Sequence, residues 1–246
     1  MDIGSLFINQ KIGFFEDYEK NKEYTEVLSN GVFKVYSDAY FSIRYKTCNL
    51  KANSLVGNIP DGVEYINTVS KLPRKYLEIL ISFYREVNNL YKTEASLVVY
   101  YNHNNLDIPK EFLTKYKDLM IIDGNYVILV PYQINNSVHS NFYSLSSDFI
   151  DWLEANMLGV LETHSHNVMP AFWSSEDDRN ERGSIIRWYL VVGNLDLEKP
   201  SIEVRLNYNG NFLLNKSVSD VFESESDNIL SDENTRYPEK WLLALK

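Results

Sequence analysis

Two histidines one residue apart, with an acid returning soon after them, constrain this chain more than any other feature. The segment reads Leu158-Gly159-Val160-Leu161-Glu162-Thr163-His164-Ser165-His166, then seven residues, then Ser174-Ser175-Glu176-Asp177. Apolar Leu158, Val160 and Leu161 predict a short strand leaving a core. Side chains two apart in a strand share a face, so His164 and His166 present their imidazoles side by side. Ser174-x-x-Asp177 is a helix start signal, with serine at the N-cap and an acid three residues on. Such a helix holds Asp177 in its first turn, facing the histidines. Strand, loop and helix are thereby tied to one another. Each half alone is ordinary, since a single strand histidine is usually structural and a capping box needs no metal. Together, two imidazoles and a carboxylate form a three-ligand set for catalytic zinc, with the fourth position left to water.

The remaining sequence supplies a core for such a site. The chain has 246 residues, 44% hydrophobic and 14% aromatic, which argues against global disorder. Its formal charge of -10 argues against nucleic acid as a partner, because phosphate demands a basic face. The single cysteine, Cys48, rules out an intramolecular disulfide and a cysteine-based zinc site. A zinc nucleobase deaminase, which needs a Pro-Cys-x-x-Cys pair, is excluded on the same ground. Met1-Asp2-Ile3-Gly4-Ser5 carries no basic segment leading into an apolar run, and no stretch is long enough to cross a bilayer. The expectation is a cytoplasmic protein with no membrane partner.

Residues 1–68 are expected to form an accessory β-rich region, with a hairpin turning at Asn30-Gly31 and a strand over 39–45. Residues 69–222 are expected to form the main α/β domain. Its first helix follows Pro73 and carries an apolar stripe of Tyr76, Leu77, Leu80, Phe83, Tyr84, Val87 and Leu90. Strands are expected over 95–101, 119–122, 126–130, 185–192, 202–208 and 212–214, with a short helix over 108–117 and another from Ser147 to Met157. His103 and His139 sit in polar segments and are read as solvated. The run 178–182 reads as a solvated helix face. Residues 223–246 form an acidic tail that is expected to be loose, with Trp241 and Leu242 docking its last turn back.

The run from His164 to Asp177 resembles the signature of the JAMM (JAB1/MPN/Mov34) metalloproteases, His-x-His, seven residues, then Ser-x-x-Asp. The stretch through Trp173 and Asp178 is more specifically similar to the PRTRC system protein A branch, JAMM-domain proteins of bacterial mobile-element operons. The likeness covers residues 94–215, and Asn167 stands where many members have proline. It implies a cytidine-deaminase-like mixed sheet flanked by helices, with the metal at one edge. It also implies zinc on His164, His166 and Asp177, with a glutamate heading an upstream strand as general base. Glu94, just before Ala95-Ser96-Leu97-Val98-Val99, matches that glutamate. Ser174 matches the serine that donates to the oxyanion, besides its capping role.

Glu162 shares the face of His164 and has three possible roles: acceptor for a ligand histidine's N–H, fourth ligand, or exposed acid. Four protein ligands would make a structural site, so the first and third are preferred. The function implied is a zinc-dependent metallopeptidase or isopeptidase cleaving an amide of a protein or peptide, as at the C-terminal linkage of a ubiquitin-like protein. The alternative is a non-hydrolytic binding or assembly module of a mobile-element system.

Overall fold

In this computed structural model the described residues are 22–28, 31–49, 63–67, 71–135, 140–142, 147–183, 186–208, 210–224 and 236–245. The chain divides into two units, Met1–Ser70 and Lys71–Lys246. In the first unit, β1 (Lys22–Leu28), β2 (Gly31–Ser37), β3 (Phe41–Asn49) and β4 (Val63–Asn67) form an antiparallel sheet in chain order. Strand β2 alternates as a half-buried strand should, with Phe33 and Val35 inside. Leu28 pairs with Gly31, so Gly31 opens β2 rather than sitting in the turn that the Asn-Gly dipeptide predicts. The expected strand over 39–45 begins two residues later, because the Asp38 carboxylate accepts from the backbone N–H groups of Tyr40 and Phe41 and makes the turn. Cys48 is exposed and free.

The second unit contains α1 (Arg74–Tyr91), β5 (Ser96–Tyr101), α2 (Lys110–Tyr116), β6 (Met120–Asp123), β7 (Tyr126–Leu129), β8 (Gln133–Asn135), β9 (Ser140–Phe142) and α3 (Ser147–Asn156). Then follow β10 (Leu158–Ser165), α4 (Ser175–Glu181), β11 (Ile186–Gly193), β12 (Ser201–Tyr208), β13 (Asn211–Lys216) and α5 (Val218–Val221). One mixed sheet runs β13-β12-β11-β10-β5-β7-β6, and β8 pairs with β9 separately. The expected α/β class is observed.

Within the mixed sheet, β10 and β11 are parallel and every other neighbouring pair is antiparallel. Parallel neighbours cannot be joined by a tight turn, so the chain must cross over between them. The crossover is the segment leaving His166, passing through α4 and entering β11. This topology brings the Ser174-to-Asp177 turn back over the end of β10.

Helices lie on both faces. The Tyr84 hydroxyl of α1 bonds Thr163 Oγ1, whereas α3 and α4 are tied through Glu154 and Glu181 to arginines on the other face. The stripe of α1 is buried from Tyr76 to Val87, but Leu90 in its last turn is 54% exposed. Residues 236–245 of the tail pack onto the core. Residues 225–235 lie outside the described residues, while a 3-10 turn over Glu239–Ala244 buries Trp241 against Phe83, ring centroids 5.4 Å apart. His139 is outside the described residues. His103 is half-buried beside Asn104, away from any ligand group. Among the described residues, no helix is long and apolar enough to cross a membrane.

Candidate metal centre

Strand periodicity alone puts His164 and Glu162 on one face of β10 and Thr163 and Ser165 on the other. Thr163 and Ser165 are buried toward the α1 side, which leaves the two histidines at the strand's end facing α4. The Nε2 atoms of His164 and His166 lie 3.2 Å apart, and His164 Nε2 lies 3.4 Å from Asp177 Oδ1. Ligand atoms of all three residues lie within 4.8 Å of one another. Zinc bonds of 2.0–2.1 Å in a tetrahedron place neighbouring ligand atoms about 3.3 Å apart. The donor set therefore fits such an ion in type, and its two edges at His164 match that spacing.

Asp177 is aimed by the helix start. Ser174 Oγ accepts from the Asp177 backbone N–H at 3.2 Å, and the Ser174 N–H donates to Asp177 Oδ2 at 2.7 Å. This reciprocal box holds one carboxylate oxygen and leaves Oδ1 directed at His164. Burial lowers the pKa of His164 to about 4, with Asp177 pulling the other way, and burial lowers His166 as well. Both imidazoles are thus neutral near pH 7, the form that binds metal.

Glu94 reaches the same region through sheet pairing. His164 is registered with Ser96, the Ser165 N–H donates to the Ala95 carbonyl, and the Ala95 N–H donates to Ser165 Oγ, each at 3.0 Å. Glu94 therefore sits at the end of β5, alongside the His166 end of β10. Its side chain is 3% exposed and Oε1 has no hydrogen-bond partner. Burial, aided by the charges of Asp177 and Glu176, raises its pKa to about 8. A buried carboxyl without a partner is costly unless protonated or used.

Glu162 plays none of the roles expected from the sequence. It faces the site side of the sheet, but its carboxylate accepts from Arg187 Nη1 at 3.1 Å. Arg187 also spans both oxygens of Glu154, at 2.8 and 2.9 Å, and donates to the Gly159 carbonyl. A carboxylate held this way is neither a fourth ligand nor the acceptor for a histidine N–H. Burial raises the Glu162 pKa while Arg187 opposes the shift. The run 178–182 is also not simply a solvated face, since Asp178 and Glu181 pair with Arg205.

The ligand loop is threaded tightly past β11. A Cβ on Gly193 would lie 2.3 Å from the Ala171 nitrogen and the Met169 oxygen and 2.4 Å from the Pro170 carbonyl carbon, all backbone atoms. Gly193→Ala should push this loop outward and weaken zinc binding by on the order of tenfold, the scale of changes that disturb ligand support. Competition against a chromophoric chelator measures it, and an unchanged affinity would show that the loop's path does not set the ligands.

No family model matches this sequence, and no curated protein matches it. Among solved structures, the solution structure of protein DSY2949 from Desulfitobacterium hafniense is similar over 63% of this chain and 94% of its own. The identity is 16% and the TM-score 0.36.

Proposed function

We propose that this protein is a zinc-dependent amide hydrolase of the JAMM type, acting in the cytoplasm on a protein or peptide substrate. The C-terminal linkage of a ubiquitin-like protein is the substrate class that the sequence resemblance suggests. The observation that carries the reading is the convergence of His164, His166 and Asp177, their ligand atoms all within 4.8 Å of one another, with Glu94 buried nearby and its Oε1 unpartnered.

Zinc held by those three residues supplies a Lewis acid that polarises a carbonyl and makes water acidic near neutral pH. Glu94 removes a proton from the attacking water as its oxygen joins the scissile carbon, then returns it to the amine nitrogen as the C–N bond breaks. Burial raises the Glu94 pKa in the metal-free protein, and the positive charge of bound zinc would draw it back towards the ionised form that a base requires. Ser174 uses its oxygen as acceptor in the helix cap, so its O–H remains free to donate to the oxyanion. Glu162 is held by Arg187 and would not add a fourth protein ligand to the three.

The test is cleavage by the full chain loaded with zinc, assayed on peptide aminocoumarin amides and on ubiquitin-like proteins extended by a C-terminal amide. Cleavage that chelation abolishes and added zinc restores is expected. A zinc-loaded protein that cleaves none of these, yet binds operon partners equally well with Glu94→Gln, would instead be an assembly module.

A further inference from the structure

We infer that Arg205 is the positioning residue for this centre, fixing Asp177 relative to the two histidines and thereby setting metal affinity and geometry. The inference rests on the metal reading above. Arg205 lies on β12, paired with Tyr189, which is in turn paired with Glu162, so it shares the sheet face and neighbourhood of His164. Its side chain is 2% exposed. Nε donates to Glu181 Oε2 at 2.7 Å and Nη1 donates to Asp178 Oδ1 at 2.6 Å. Its guanidinium carbon stands 3.9 Å from the centroid of the Trp173 ring and 4.0 Å from that of Phe212.

These contacts bracket the capping box. Trp173 immediately precedes Ser174, and Asp178 immediately follows Asp177. One side chain thus grips the helix start on both sides of the hydrogen bonds that aim Asp177. Trp173 also meets the His164 ring edge-on, centroids 6.5 Å apart, so the same stack backs a second ligand. A helix of seven residues has little stability of its own and takes its position from such anchors. Asn207, also on β12, donates to the Glu181 carbonyl at 2.8 Å and holds the far end of α4. Helix anchoring alone would need only the Glu181 end. The Asp178 and Trp173 contacts are spent at the ligand end.

Arginine is required by shape. Its planar fork reaches two carboxylates while the guanidinium lies close to two rings, whereas lysine offers a single point charge. Removing the cation alone would leave Glu181, 4% exposed, as an unpaired buried charge. The main variant is therefore the double substitution Arg205→Met with Glu181→Gln, which removes both charges at similar volume. Asp178→Asn is the second variant, because the Asp178 side chain is 43% exposed and its loss is tolerable to the fold.

The full-length protein is titrated with zinc by chelator competition and with cobalt(II) by its visible spectrum. The folded double variant should bind zinc about ten- to a hundredfold more weakly, with an altered cobalt spectrum. Asp178→Asn should change both in the same direction but less, and Arg205→Lys should fall between wild type and the double variant. Wild-type affinity and spectrum in Asp178→Asn, or in the folded double variant, would overturn the inference while the metal reading stood. If the double variant does not fold, Asp178→Asn decides alone. A wild-type protein that takes up no metal would remove the metal reading first, and this inference with it.

Discussion

Wild-type protein should carry close to one zinc per chain, and His166→Ala should carry essentially none. His166 contributes the Nε2 that lies 3.2 Å from His164 Nε2. Without it only His164 and Asp177 remain, and catalytic zinc sites use three protein ligands. Glu162 cannot substitute, because Arg187 holds its carboxylate. Glu94 is the nearest alternative donor in kind, yet it lies outside the cluster of converging ligand atoms. Elemental mass spectrometry of protein exposed to zinc and then desalted gives the answer, with circular dichroism checking that the variant is folded. A wild type that stays metal-free would remove the central claim, and a variant that keeps its zinc would remove His166 from it.

Glu94→Gln should keep the metal and lose most hydrolysis, by roughly a hundred- to ten-thousandfold, the usual cost of deleting a positioned base. Glutamine is nearly isosteric and none of the three ligands is touched. The same substitution has a second consequence in metal-free protein. Native Glu94 holds its proton to about pH 8, against an ordinary value of 4.5. The native state therefore binds more protons than the unfolded chain between those limits. Its contribution to stability is full below about pH 4.5 and declines as pH rises towards 8, by up to about 1.4 kcal/mol per pH unit. Glu94→Gln removes that decline, so its melting temperature should exceed that of wild type increasingly from pH 5 to 8. Equal pH dependence in the two proteins would mean that Glu94 is solvated, and retained hydrolysis would assign the base elsewhere.

The ligand triad was legible because its parts are local. His164 and His166 are bound by strand alternation, and Asp177 by a capping signal that the backbone obeys to the residue. The strands β5 and β11 were legible as runs of β-branched and aromatic residues, and β10 from apolar Leu158, Val160 and Leu161. The parallel pairing of β10 with β11 was not, since periodicity carries no direction. Arg205 was missed for a physical reason. Ile202, Val204 and Leu206 alternate with Glu203, Arg205 and Asn207, and such alternation normally reads as one dry face and one wet face. Here α4 covers the polar face, leaving Arg205 and Asn207 buried. The available signal was the acid pair Asp178 and Glu181, three apart on a short helix and so on one side of it. Glu162 was misread because its partner Arg187 lies on a different strand, and strand register cannot be taken from sequence alone.

The exchange of hydrogen bonds between Ala95 and Ser165 joins positions 70 apart in the chain, whereas the Ser174–Asp177 box joins positions three apart. Loop closure over the longer span carries more entropy, though the penalty grows only slowly, by about 0.6 kcal/mol per doubling of length. More telling is what must be in place to meet it. The box closes within one helical turn, while the Ala95–Ser165 link requires β5 and β10 to come together from distant parts of the chain. The hydrogen bonds that aim the Asp177 carboxylate are therefore local, whereas the two histidines and the proposed base Glu94 all take their places from the long-range pairing of β5 with β10.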